Sequence, residues 1–217
     1  KVGHQSVEVN VQGRILRVLE EKKPEPGQNL VLSLDAELQA VAEHAMQGYN
    51  GAVVAMVPGT GEILAMASMP TYDPNLFVHG ISVKDYQRLR DSDNRPLFNR
   101  ALAGQYPPGS TMKPFVALAG LEYKSMGHRE HIDCGGYYLL PNEERKYRDW
   151  KKEGHGATDL EAALAESCDV DFYEIAYRLG IDNMHKFLNQ FGFGQRTGLD
   201  TVGEQSGLLP SREWKKR

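Results

Sequence analysis

The sequence predicts a mixed chain of the α/β (α+β) class, with antiparallel strands flanked by helices. Three observations predict it. The first residues alternate with period two. A glycine-turned pair of runs in the middle is apolar on both faces. The second half carries helical periods closed by capping residues. Composition agrees: 217 residues, 41% hydrophobic and 25% charged, are ordinary for a globular chain. The net charge of −4 supplies no basic face, so no nucleic-acid partner is expected. No apolar run approaches the roughly 20 residues of a membrane span. The chain opens Lys1-Val2-Gly3-His4 without an initiator Met and stops at a charged stretch, so we expect a piece of a longer protein.

In order, residues 5–19 alternate Val7, Val9 and Val11 with Glu8, Asn10 and Gln12, and a turn at Gly13-Arg14 predicts a hairpin. Glu20 to Gly27 is charged and proline-broken, a linker and candidate boundary. Residues 29–34 read as a short strand, and Asp35 as the cap of a helix carrying Leu38, Val41, Ala42 and Ala45. Residues 51–57 and 62–68 flank Pro58-Gly59-Thr60-Gly61. Being apolar on both sides, they predict a hairpin inside a sheet covered on both faces. Lys84 to Arg90 reads as a short exposed helix. Thr158, with Glu161 three residues on, reads as a capping box. A helix with Phe172, Ile175, Ala176 and Leu179 ends at Gly180, and another runs from Met184 to Phe191.

The chemistry centres on Tyr106-Pro107-Pro108-Gly109-Ser110-Thr111-Met112-Lys113. The prolines end any earlier helix and Gly109 permits a tight turn. The small apolar run 116–121 then predicts a buried helix. Ser110 sits at its start, with Lys113 one turn on and on the same side. A hydroxyl at a positive helix end beside an amine suits an acyl-forming serine. Taken alone, the same residues also read as an N-cap serine with a solvated lysine.

Ser110-Thr111-Met112-Lys113 followed by Ser167-Cys168-Asp169 resembles the first two motifs of the penicillin-interacting acyl-serine enzymes. The hairpin 51–68 with Pro70-Thr71-Tyr72-Asp73-Pro74-Asn75 is similar to the opening of a class B penicillin-binding transpeptidase domain. Tyr147-Arg148-Asp149-Trp150-Lys151 and Pro210-Ser211-Arg212-Glu213-Trp214-Lys215 resemble the elongation branch of that class. The resemblance implies the penicillin-binding, serine-transpeptidase-like fold, incomplete at the C-terminus. Residues 1–26 are then the end of an N-terminal pedestal or linker, and 27–217 the first part of the transpeptidase domain. It implies Ser110 as nucleophile on peptidoglycan stem peptides and on β-lactams, and Lys113 as base. Ser167 is the proton relay, and Asp169, where the family more often has Asn, orients Lys113 or substrate amides. The expected setting is the periplasmic face of the bacterial inner membrane, beside a membrane glycan polymerase. A β-lactamase or D,D-carboxypeptidase, and a sensor acylated without turnover, are the alternatives.

The family's third motif, Lys-Thr/Ser-Gly, does not occur in these residues and is expected beyond Arg217. It lines the groove and gives an oxyanion donor, and losing one such donor costs about 10²–10³ in rate. The 217 residues alone are therefore expected to be nearly silent. Cys134, Asp149, His155 and Cys168 offer two thiols, a carboxylate and an imidazole, a closed set of the kind zinc takes. The spacing also admits a free thiol with a solvated Asp and His, or a Cys134–Cys168 disulfide in an oxidising compartment. The resemblance implies zinc, since some members of the branch carry it beside this motif. His4, His44, His79, His128, His131 and His185 read as surface residues.

Overall fold

The structure is a computed structural model and describes residues 1–216. It divides into two compact units: Lys1–Ala45 with Val53–Ala67, and Met46–Ala52 with the chain from Ser68 onward.

In the first unit, β1 (His4–Val9) and β2 (Ile15–Lys22) form the antiparallel hairpin that the alternation predicts, with Val7 opposite Val18. Helix α1 (Ala36–Ala45) follows. Asp35 caps it, accepting from the backbone N–H of Glu37 and Leu38 at 2.9 and 3.0 Å. Strands β3 (Gly51–Met56) and β4 (Ile63–Met69) pair with each other. Ala42 of α1 packs with Ala65 and Ala67, and with Val53 and Ala55. Two expectations are corrected here. Residues 29–34 form no strand: Ser33 Oγ and the N–H of Asp35 bond to the carbonyls of Ile63 and Leu64, but Leu30 and Val31 stay exposed without a ladder. The β3–β4 pair is covered on one face only, because α1 lies on one side and Val54 and Met56 remain half exposed.

The second unit carries α2 (Val83–Arg90), capped by Ser82, and α3 (Arg100–Ala103), capped by Asn99. After a 3-10 turn, Gly109–Met112, comes α4 (Lys113–Glu122). Four short strands follow: β5 (Ile132–Cys134), β6 (Tyr137–Leu139), β7 (Lys146–Arg148) and β8 (Gly156–Thr158). β5 pairs antiparallel with β8, and β6 with β7. Then come α5 (Leu160–Ala165), α6 (Asp169–Asn189) and α7 (Arg212–Lys215). Across the described residues the strands thus form separate two-stranded ladders rather than one sheet. The Gly180 signal is seen as a break inside α6, with φ 72° and ψ 156°.

The capping box at Thr158 is also corrected. Thr158 belongs to β8, and Asp159 caps α5 by accepting from the N–H of Ala162 at 2.9 Å. A carboxylate outcompetes a hydroxyl for that N–H. Thr158 is turned inward instead, its Oγ 2.8 and 3.0 Å from the two oxygens of Asp171.

The core that holds the candidate site lies between α4 and α6. Ala117, Met126, Ile132, Cys134, Leu160, Ala163, Cys168, Val170, Phe172 and Ile175 form one buried cluster. Small residues on α4 let α6 approach closely: a Cβ added at Gly120 would stand 2.8 Å from Ile175 Cγ2. Ile175 is fully buried. Ile175→Ala is expected to cost about 2–5 kcal/mol, read as a lower urea midpoint with unchanged slope.

Candidate active site and metal-binding cluster

Two helix starts and one turn build the site. Gly109 adopts φ 59°, which bends the chain into the 3-10 turn carrying Ser110. Ser110 is exposed, whereas Lys113, the first residue of α4, is buried to 8% exposure. Opposite them is the α5–α6 turn, Glu166-Ser167-Cys168. Ser167 holds φ 55°, a left-handed conformation that a side chain adopts only where its surroundings impose it.

That conformation turns both polar groups of Ser167 toward Lys113. Lys113 Nζ lies 2.7 Å from Ser167 O, 3.0 Å from Ser167 Oγ and 2.6 Å from Asp169 Oδ1. An ammonium has three N–H donors, and here each finds one acceptor. Ser167 Oγ in turn donates to Ser110 Oγ at 2.9 Å. The ring of Phe172 lies 5.3 Å from Nζ. The structure thus brings together the four residues that the motifs single out. It differs from the expected pairing in one respect. Among the described residues no hydrogen bond joins Ser110 to Lys113 directly, and the contact runs through Ser167.

Directly behind this turn, Cys134, Asp149, His155 and Cys168 offer ligand atoms that all lie within 4.8 Å of one another. Both cysteines are free and buried. Cys134 ends β5, and Cys168 sits between Ser167 and α6. Asp149 and His155 lie on the loop from β7 to β8. That loop is held by main-chain bonds from Asp149 N–H to Gly136 O at 3.0 Å and from His155 N–H to Cys134 O at 3.1 Å. Gly136 and Gly154 make this approach possible. Both have positive φ, and a Cβ on either would stand 2.2 Å from Lys152 O or 1.9 Å from Cys134 O.

Asp149 also serves α6. Its N-cap position, Cys168, makes no side-chain cap bond. Asp149 Oδ2 accepts instead from the N–H of Asp169 at 2.7 Å and of Val170 at 3.3 Å, while Oδ1 accepts from Lys151 N–H at 3.0 Å. Burial pushes this carboxyl up, but the three backbone N–H groups and the Cys168 thiol outweigh it and hold it below its ordinary 3.8. Burial, then the neighbouring Asp171, pushes the Cys168 thiol up, so without a cation it stays protonated.

The cluster's own spacings test whether a metal fits. A tetrahedron with arms of about 2.0–2.3 Å has edges of about 3.3–3.8 Å. Cys134 Sγ is 3.8 Å from Asp149 Oδ2 and 3.5 Å from His155 Nδ1, and Cys168 Sγ is 3.4 Å from Asp149 Oδ2. His155 Nδ1 is 3.6 Å from Asp149 Oδ1. The three sulfur contacts are thiol hydrogen bonds in the metal-free arrangement, and their spacings are also close to those of ligands around one ion. The donors are two thiols, one imidazole and one carboxylate, which suits zinc.

Three contributors were not singled out from the sequence. Asp171 is fully buried and contacts Thr158, and burial pushes its carboxyl up. Its isolated position on an apolar helix face was the available signal. Trp150 donates from Nε1 to Glu166 O at 3.1 Å and packs edge-on to His155. Glu166 approaches His155 from outside. No spacing rule reveals the last two.

Residues 51–217 match the family described as the penicillin binding protein transpeptidase domain, and the chain belongs to that family. Among curated relatives, the peptidoglycan D,D-transpeptidase MrdA of Acinetobacter baumannii is 50% identical over 99% of this chain and 32% of its own length. A crystal structure of Pseudomonas aeruginosa PBP2 in complex with WCK 5153 superposes with TM-score 0.83 at 54% identity, covering 88% of this chain and 43% of that one. A structure titled for polymerization and crosslinking by a peptidoglycan synthase complex matches with TM-score 0.77 at 35% identity, over 99% of this chain and 41% of that one. The chain spans about a third of the length of the curated relatives it matches. Among the described residues no helix is long and apolar enough to cross a membrane.

Asp149→Ala is expected to destabilise the metal-free protein by about 2–4 kcal/mol, through the lost cap and the orphaned buried N–H groups. Asp149→Asn, which keeps one acceptor, should lose less. The carboxyl's folded pKa lies below its unfolded value. Its contribution is therefore full above about pH 4 and is lost as pH falls through the depressed value. Urea midpoints of wild type and Asp149→Ala should differ at pH 7 and draw together as pH falls below the ordinary carboxylate range.

Proposed function

We propose that this chain supplies the acyl-serine centre of a peptidoglycan D,D-transpeptidase. One observation carries the reading: the unbroken contact from Ser110 through Ser167 to the buried Lys113, at 2.9 and 3.0 Å. Family membership and the MrdA relatives support the substrate class.

Ser110 Oγ attacks the carbonyl carbon of the penultimate D-alanine of a stem peptide. Its proton passes to Ser167, whose own proton passes to a neutral Lys113. In the resting arrangement the donors point the other way, from Lys113 to Ser167 to Ser110. Turning the two hydroxyls reverses the relay once Lys113 has released one proton. Asp169 holds Nζ at 2.6 Å and fixes where the amine stands. The tetrahedral intermediate collapses and terminal D-alanine leaves with a proton returned through Ser167. An amine of a neighbouring strand then attacks the ester carbonyl; the bond to Ser110 Oγ breaks, and the amine's proton returns to Oγ through Ser167 and Lys113. β-Lactams present an acyl group to the same serine. The setting we propose is the periplasmic face of the inner membrane beside a glycan polymerase, which the likeness to the synthase complex supports.

We further propose that Cys134, Asp149, His155 and Cys168 hold zinc. The ion supplies a fixed positive centre that lets both thiols bind as thiolates. The chain's own residues keep the Ser167 turn in place through Cys168 and Asp149.

In the full chain, Ser110→Ala should abolish covalent labelling by a fluorescent penicillin. Ser167→Ala should slow labelling by about 10²–10⁴ while leaving the protein folded. Label retained on Ser110→Ala at another residue would sink the reading. Product analysis with an added acceptor amine should give cross-linked peptide, where a hydrolase gives free acid only. Elemental analysis should find one zinc per chain, lost in Cys168→Ser.

A further inference from the structure

The metal reading uses one nitrogen of His155 and leaves the other to be accounted for. The His155 side chain is fully buried. Nδ1 faces the donor set, 3.5 Å from Cys134 Sγ and 3.6 Å from Asp149 Oδ1. Nε2 is buried and has no hydrogen-bond partner among the described residues. A neutral imidazole whose Nδ1 lone pair goes to a metal must carry its proton on Nε2, and that proton needs an acceptor.

One acceptor is within reach. Glu166 Oε2 lies 3.8 Å from Nε2, just outside bonding distance. The loop that carries His155 is gathered around this same residue. Trp150 Nε1 donates to the Glu166 carbonyl at 3.1 Å, and its ring packs against His155 with centroids 5.5 Å apart. Lys151 Nζ stands 3.9 Å from the Glu166 carboxylate. Glu166 also directly precedes Ser167, whose left-handed backbone brings its hydroxyl between Ser110 and Lys113.

We propose that Glu166 is a positioning residue for the metal centre: its carboxylate closes onto His155 Nε2–H when Nδ1 binds the ion. This fixes the tautomer and ring orientation and raises the ligand's basicity, as carboxylates commonly do behind metal-bound histidines. It also gives the metal centre and the Ser167 turn a second residue in common, beside Cys168. The inference rests on the zinc reading.

The test measures zinc affinity of the full chain by competition with a chromophoric chelator, for wild type, Glu166→Gln and Glu166→Ala. Trp150 bonds to the main-chain carbonyl, so both variants keep that contact. Removing an outer partner costs about 10–100-fold in affinity. Glu166→Ala should show that loss. Glu166→Gln, which keeps an acceptor without the charge, should fall between. In nitrogen-labelled protein, zinc-loaded wild type should show a slowly exchanging His155 Nε2–H that Glu166→Ala loses. Equal affinity in all three, with zinc bound, overturns the role of Glu166 and leaves the zinc reading standing. A wild type that takes up no zinc overturns both. Weaker binding matched by an equal drop in metal-free melting temperature marks Glu166 as a general structural contact and overturns the proposal.

Discussion

The buried amine of Lys113 is the constraint on which the site depends. It enters from α4 and is held by three acceptors on a single turn, two from Ser167 and one from Asp169. An amine buried to 8% exposure is tolerable because its donors are met. The same demand fixes the partner turn. Ser167 must present both its carbonyl and its hydroxyl to one nitrogen, and its left-handed backbone is how it does so. Packing of α4 on α6 through Gly120 and Ile175 sets the distance over which this happens.

Behind the turn, Asp149 connects two kinds of order. It closes the open N-terminus of α6, where no residue of the helix's own start does so, and it belongs to the cysteine and histidine cluster. Its three backbone donors outweigh burial, so it is an anion whether or not a cation is near. The thiol of Cys168 is the opposite case: burial keeps its proton on. The cluster thus sets a carboxylate held ionised beside a Cys168 thiol held protonated.

Much of this was legible in the chain. Proline, glycine, serine and lysine at 107–113 marked a turn before a buried helix, because each residue restricts the backbone in a distinct way. Ser167 and Asp169 gained meaning from Ser110, and the resemblance to penicillin-binding enzymes rested on several motifs in order, which the family match over residues 51–217 bears out. The misreadings share one cause: local pattern without knowledge of neighbours. Residues 29–34 have strand composition but no partner edge, so they stay irregular. Thr158 and Asp159 are adjacent and both can cap; the carboxylate of Asp159 takes the N–H of Ala162, and the hydroxyl of Thr158 turns to Asp171. Glu166 and Trp150 were invisible, since their role depends on a histidine ring brought beside them by the fold.

The crossing of two main chains at Gly136 and Gly154 has its own implication. Neither position can accept even a methyl group without the strands parting, because the space is taken by carbonyl oxygens. Forcing them apart would carry off the imidazole and the helix-closing carboxylate together. Ser110, Ser167 and Lys113 would all remain chemically intact, yet lose the frame that aligns them. An alanine at either glycine thus acts on the Ser167 turn without touching any of those three side chains.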